Sequence, residues 1–419
     1  MTTIETDSAT ARRVPSTASR VVLGSVLVAW YLPAIASVGL RTDVGAHEKF
    51  GEAMSLTGRP PGPYYLFEQA LIVVRAIIPF DLLGRISTSW GSRSATWDVS
   101  ALVVLLVAVV VLGDLVYRRL VGSFDTGRVR IDRGWSGIAT FGLLVVAPIT
   151  VLTWGHHELL VGYISTTTYE NPTGILVRPI ALALFWAYLD RVGERNTLRA
   201  MLPCAALMVL SLHAKPSFAV VFVPASAITM AWAVIRRRAD DWRLWLLGVL
   251  LPFAIVTAIQ IAATSDQGAG IAFRPFRVVR MLLALRDQPL WMFAPLLLAS
   301  IVFPLVVTAS YWSEAVRSRS LVLAWVTFGV GVASFCTLQF TGRFDYGDFV
   351  WGPQLALFVL FVESVRLVLP RLATRWQGPA SDRRRLDRRS RLVILAFAAH
   401  VACGVLLHHQ EIVNPAAWW

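Results

Sequence analysis

Acidic residues and cysteine are scarce in this 419-residue chain: 26 Asp and Glu stand against 39 Lys and Arg, and there are three cysteines. Cys204, Cys336 and Cys403 each fall inside an apolar run and none has metal-ligand spacing. They exclude a disulfide framework and read as small buried hydrophobes. Also missing are a Walker phosphate loop, a GxGxxG turn after a strand, an internal repeat and any polar stretch long enough for a sizeable water-soluble domain. Nucleotide-binding folds and repeat arrays are thereby set aside.

What is abundant is apolar: 56% of the residues are hydrophobic, and the mean hydropathy is +0.61. The apolar residues come in blocks near the ~20 residues a helix needs to cross ~30 Å of hydrocarbon. Because a backbone in lipid must satisfy its own hydrogen bonds, the blocks read as helices. They lie near 21–40, 98–117, 135–154, 174–190, 200–214, 216–235, 244–264, 290–312, 320–340, 350–369 and 391–408. The fold class this predicts is all-α and polytopic, with about 11 transmembrane helices. Residues 64–80 form one more block, interrupted by Glu68, Gln69 and Arg75.

Charge bias decides how that block is read, since cytoplasmic loops collect Lys and Arg. If 64–80 stays on one side and the N-terminus is inside, 25 of the 39 Lys and Arg are cytoplasmic and 12 outer, with Arg178 and Arg366 inside spans. The block therefore reads as a helix that dips into, or lies on, the outer leaflet. The domain layout expected is a disordered cytoplasmic tail over 1–20, a single transmembrane domain over 21–408, and an outer tail over 409–419. Within the domain lie an outer loop over 41–97 with surface helices and an Arg-rich cytoplasmic linker over 371–391. The tail does not read as a cleaved signal, because no small-residue cleavage site follows its apolar stretch. The net charge of +13 invites a nucleic-acid reading, but the arginines cluster where topology and anionic headgroups would put them, so no nucleic-acid partner is expected.

With that orientation six of the seven histidines, His47, His156, His157, His213, His408 and His409, sit at or beyond outer span ends, and His400 alone is mid-span. In the first outer loop Asp43, His47 and Glu48 have helical spacing, on what reads as an amphipathic surface helix ended by GRPPGP. A second outer segment carries His156, His157, Glu158, Glu170 and Asn171 and no Lys or Arg. Paired imidazoles beside a carboxylate suit general-base or metal work, while Asn171-Pro172 suits a helix start. Arg178 and Lys215 fall near outer span ends, where a cation needs a salt bridge, for example to Glu170, or an anionic ligand.

Further along, Arg274, Arg277 and Arg280 are spaced three apart among apolar residues, which predicts a short basic amphipathic helix against the topological bias. Headgroup anchoring and phosphate binding both explain it. Arg343, Asp345 and Asp348 come with Tyr346, Trp351 and Gln354, a set suited to a sugar, with Trp351 equally at home in an interfacial belt.

In its spans, its long first outer loop with an acid on a surface helix (Asp43, with Glu48 nearby) and its later Arg and Lys positions, the chain resembles the C-type membrane glycosyltransferases (GT-C). It differs from them in lacking a paired acidic signature in that loop and a large C-terminal outer domain. The resemblance implies a polyprenyl-phosphate sugar as donor, a glycan or lipid as acceptor, and a site on the outer face of a bacterial cytoplasmic (inner) membrane. It implies Asp43 as the base, with His47 and Glu48 beside it, and Lys215, Arg274, Arg277 or Arg343 neutralising the departing phosphate. Whether a divalent metal takes part stays open, and no cofactor is assigned. A flippase or transporter, or a polymerase or ligase, for lipid-linked cell-envelope glycans is the alternative; a transporter would call for ionisable groups at mid-membrane and broken helices.

Overall fold

The computed structural model describes residues 16–37, 43–60, 62–78, 94–122, 133–153, 160, 162–167, 169, 171–192, 198–236, 242–264, 270–341, 348–377 and 387–413. Its fold is all-α apart from one small two-stranded sheet. Helices run α1 (Thr17–Ser37), α2 (Asp43–Thr57), α3 (Leu66–Ile77), α4 (Ser94–Gly122), α5 (Arg133–Val145), α6 (Pro172–Arg191), α7 (Leu198–Ala214) and α8 (Ser217–Ile235). A π-helical stretch, Leu244–Leu250, leads into α9 (Leu251–Thr264). Then come β1 (Gly270–Phe273), α10 (Arg277–Ala284), α11 (Phe293–Ser310), the single turn α12 (Trp312–Ala315), α13 (Arg319–Thr337), β2 (Leu338–Thr341), α14 (Trp351–Gln377) and α15 (Arg388–Val413). Strands β1 and β2 pair antiparallel, Gly270 opposite Thr341 and Phe273 opposite Leu338.

Among the described residues nine helical segments are long and apolar enough to cross a membrane, which makes this a multi-pass membrane protein. Two more helices match the remaining apolar blocks: α7, with 17 residues, and α14, which carries Glu363 and Arg366. Helix α3, the centre of the ambiguous block 64–80, has only 12 residues. At 1.5 Å per residue it is about 18 Å long, short of the hydrocarbon thickness.

Helices α6 and α14 lie at the centre and are buried along most of their length. Glu363, at 2% exposure, accepts from Trp186 Nε1 at 2.7 Å and from Arg366 Nη1 at 2.5 Å. A buried carboxylate is tolerable only when paired and hydrogen-bonded in this way.

Helix α5 breaks inside its apolar block. Pro148 cannot donate to a helix and holds the residue before it extended, so Val146–Ile149 leave the helix before a 3₁₀ turn at Thr150–Thr153. Every freed group with a described bond is answered from another element. Tyr31 Oη and Thr167 Oγ1 donate to Leu144 O, and Thr166 and Thr167 donate to Val146 O at 2.6 and 2.9 Å. Ile149 N donates to Ala299 O at 3.1 Å. His400, fully buried, donates from Nδ1 to Ala147 O at 2.7 Å and accepts Phe303 N on Nε2 at 3.3 Å. The mid-span imidazole thus joins the break, α11 and α15. Gly404 lets α15 lie directly on the broken segment, because a Cβ there would come within 1.7 Å of Val145 O.

Candidate functional site

Asp43 opens α2, which packs on α3 and α4. Val44 and Gly51 face inward, and Gly51 is needed where Trp97 would stand 3.0 Å from a Cβ. The three polar residues of its first turns then diverge. Asp43 Oδ2 meets Asn171 Nδ2 at 3.5 Å. His47 Nδ1 lies 2.6 Å from Glu68 Oε1. Glu48 turns to the other side and shares a hydrogen bond with Asp98 of α4. Helical spacing put these residues on one element, but only Asp43 reaches Asn171.

Asn171 is the N-cap of α6, with Pro172 in its first turn, the arrangement that Asn-Pro suggests. Its Oδ1 accepts from Gly174 N at 2.6 Å, Thr173 Oγ1 at 3.0 Å and Lys215 Nζ at 2.9 Å. Lys215 follows the last residue of α7 and is 8% exposed. Its ammonium also donates to Thr173 Oγ1 at 3.2 Å and sits 4.2 Å from the centroid of the Trp351 ring, the first residue of α14. One amide group therefore links the acid to the cation, at a helix N-terminus where negative charge is favoured. The ends of α2, α6, α7, α8 and α14 meet here.

The segment between α2 and α3 is held against the same end. Gln260 Nε2 donates to Pro63 O at 2.8 Å and Leu212 O at 3.2 Å, and the Tyr65 and His213 rings meet edge to face at 5.6 Å. Glu68, in the first turn of α3 and 1% exposed, has His47 as its partner through Oε1. The pairing fixes the ring of His47 one helical turn from Asp43.

Burial first, and then the neighbouring Asp98 carboxyl, push Glu48 up to about 8. Its Oε1 is buried with no hydrogen-bond partner among the described residues, which suits a carboxyl that keeps its proton. An acid raised in the folded state costs stability as pH climbs through the ordinary glutamate range, near 4.5, because the unfolded chain ionises first; the cost levels off above about 8. Glu48→Gln is therefore expected to raise the melting temperature at pH 8.5 and to leave it unchanged near pH 4. Thermal unfolding of the detergent-solubilised protein at the two pH values measures the difference, and an equal effect at both would count against the carboxyl pair.

Arg178 belongs to a deeper cluster. It lies two turns into α6, 7% exposed, and its charge acts on the buried phenols of Tyr31 and Tyr169. Tyr169 Oη is 3.0 Å from His408 Nδ1, and His408 stacks on Trp30 at 4.0 Å. Burial, and next the Tyr31 hydroxyl, push the Tyr169 phenol well above its ordinary range, with Arg178 opposing. His408 is thus packed within α15, which runs on to Val413.

Arg274 and Arg277 are exposed beside the two-stranded sheet. Only Arg277 and Arg280 lie on α10; Arg274 precedes it, because β1 takes the residues before it into the sheet. The sheet borders the site through Phe340, which stacks on Phe349 at 4.9 Å, two residues before Trp351. His156, His157, Glu158, Glu170, Arg343 and Asp345 lie outside the described residues, and Asp348 is placed only as the start of a 3₁₀ turn. Among the described residues no group of three or more His, Cys, Asp or Glu is arranged to hold a metal ion.

The sequence reading missed Glu68 as the partner of His47 and Asp98 as the partner of Glu48. The one available signal was a lone acid in the apolar stretch 64–80. Fold and contacts together define a multi-pass membrane protein with a polar cluster where several helix ends converge. Compared with known proteins, the chain matches no family model and no curated protein.

Proposed function

We propose that the protein is an integral membrane glycosyltransferase of the GT-C kind, crossing the bilayer eleven times, that moves a sugar from a polyprenyl-phosphate donor to a glycan or lipid acceptor on the outer face of a bacterial cytoplasmic membrane. The observation that carries this reading is the bridge Asp43–Asn171–Lys215, with bonds of 3.5 and 2.9 Å. Group transfer from a lipid phosphate needs a base for the acceptor and a cation for the leaving group, held close together.

In the proposed step Asp43 takes the proton of the acceptor hydroxyl as its oxygen bonds to the anomeric carbon. The bond from that carbon to the phosphate oxygen breaks, its electron pair leaves with the polyprenyl phosphate, and the configuration inverts. Lys215 neutralises the charge that develops on the phosphate. Trp351, stacked over the ammonium, offers an apolar ring to a sugar face. Asn171, read from the sequence as a substrate ligand, serves here as the brace between acid and cation, since its Oδ1 already accepts three bonds.

The broken helix α5 is the feature that favours a transporter. Its bared backbone groups are, however, bonded to Tyr31, Thr166, Thr167, Ala299 and His400, and both ring nitrogens of His400 are engaged. Groups already bonded within the chain in this way are not left to a ligand, so the enzyme reading is preferred.

The test is turnover of a radiolabelled polyprenyl-phosphate sugar by purified protein in liposomes. The proposal expects release of polyprenyl phosphate with the label on the acceptor. Transfer of the intact donor across the bilayer, with no bond broken, would favour the flippase and end the glycosyltransferase reading.

A further inference from the structure

The unit formed by β1 and α10 carries features that the proposed reaction does not use. Arg274, Arg277 and Arg280 are all exposed, and among the described residues none of them has an ion-pair partner. On α10 the two arginines occupy one face, while Val278, Val279 and Leu283 are buried on the other. Beside them Ile271 and Phe273, two apart on one face of β1, are 62% and 72% exposed, and Phe276 is 42% exposed.

Backbone bonds fix the depth of this unit. Arg274 N donates to Thr337 O at 2.8 Å and Phe276 N to Cys336 O at 2.6 Å. Thr337 ends the candidate span Arg319–Thr337; the unit also lies between the end of the span Leu244–Ala263 and the start of Leu290–Ser310. Three guanidinium groups thus stand at the level where spans leave the hydrocarbon, with apolar side chains exposed beside them. Long cationic side chains at that level keep their stems in the apolar region and their heads at the phosphates.

The backbone at Phe276 is a second, independent sign. Its φ of 58° places a bulky residue in the left-handed region, where glycine would sit without strain. The ring is nonetheless not packed into the core. A strained residue whose side chain faces outward points to a contact outside the chain.

We propose that residues 270–284 form a docking surface for anionic phospholipid of the adjoining leaflet. The three arginines meet headgroup phosphates, and Ile271, Phe273 and Phe276 enter the acyl region below. Charge complementarity selects this occupant: three separate cations spread over a turn and a helix face suit several singly charged headgroups better than one lipid phosphate. The inference is independent of the glycosyltransferase reading and of which leaflet this is.

A local probe tests it, because arginines elsewhere in the chain also attract acidic lipid. The full chain with Phe273→p-benzoylphenylalanine is reconstituted in phosphatidylcholine containing a minority of phosphatidylglycerol and a trace of polyprenyl phosphate. It is then irradiated, and the lipid adducts are identified by mass spectrometry. The ratio of phosphatidylglycerol to phosphatidylcholine adducts is expected to exceed the bulk ratio by about fivefold for each arginine engaged. In the R274Q/R277Q/R280Q background the enrichment should disappear while lipid adducts persist. Adducts that follow bulk composition, enrichment unchanged in the triple variant, or adducts mainly with polyprenyl phosphate would each overturn the proposal. The first and third outcomes are read on the chain with its arginines intact, so they do not depend on folding of the triple variant.

Discussion

Asp43→Asn is expected to lower sugar transfer by about 10²–10⁴-fold while the protein keeps its fold, because that is the range contributed by a positioned general base. The substitution is nearly isosteric. Asn171 Nδ2 now reaches Asp43 Oδ2 at 3.5 Å, and an amide oxygen at the same place accepts that bond as well. What the amide cannot do is take up a proton. Asp43 is half-buried at the first residue of α2, and among the described residues it makes no ion pair whose loss would unfold the chain. Its replacement should therefore change stability by no more than about 0.5 kcal/mol, as for most changes away from the core. The check is the rate of polyprenyl-phosphate release beside the melting curve; full turnover in a folded Asn variant would remove Asp43 from the reaction.

The largest structural effect is expected at Gly404. A single methyl group there would lie 1.7 Å from Val145 O, 2.7 Å from Val145 C and 3.2 Å from Ala147 N, all backbone atoms. Backbone cannot swing aside as a flexible side chain can. Gly404→Ala must push α15 away from the break, stretching the bonds of His400 to Ala147 O and Phe303 N and of Ala147 N to His400 O. The cost is expected to exceed the ~1–3 kcal/mol typical of overpacking, since polar backbone at membrane depth would lose its partners as well. Thermal aggregation followed by size-exclusion chromatography reads it. Gly137, inside α5 with nothing within 4 Å of its Cβ position, is the control, and Gly137→Ala should melt no lower than the native protein, since alanine is the better helix residue. Equal melting of both variants would contradict the packing described for α15.

How much of this was legible in the sequence differs by feature. Hydropathy blocks placed most of the helices within a few residues, because a span announces itself by length and apolarity alone, although α14 runs to Gln377, past the end of its block at 369. The break in α5 was not legible. Pro148 is visible, but Pro33, Pro179, Pro203, Pro224, Pro304 and Pro370 all lie inside helices that continue through them. What separates a kink from a break is the set of hydroxyls and the imidazole waiting to receive the freed groups, and these come from residues far away in the chain. The two-stranded sheet was hidden for a similar reason: four-residue strands whose partners are about seventy positions apart leave no periodic mark.

Within the candidate site the local signals carried over and the distant ones did not. Asn171 followed by Pro172 marked a helix start, and Lys215 at a span end demanded a partner; the structure pairs the two. Asp43, His47 and Glu48 read as one group because helical spacing says which residues share an element. It does not say which neighbour each will meet. His47 goes to Glu68, 21 residues on, and Glu48 goes to Asp98 on α4.

The claim on which the functional account rests is that Asp43 and Lys215 serve one reaction as a unit. The direct measurement is a double-mutant cycle on polyprenyl-phosphate release, comparing the native protein, Asp43→Asn, Lys215→Gln and the combination. Groups acting in one transition state are strongly non-additive, so the double variant should be no slower than the worse single variant. Losses that simply multiply, or a native rate in either folded single variant, would contradict the account.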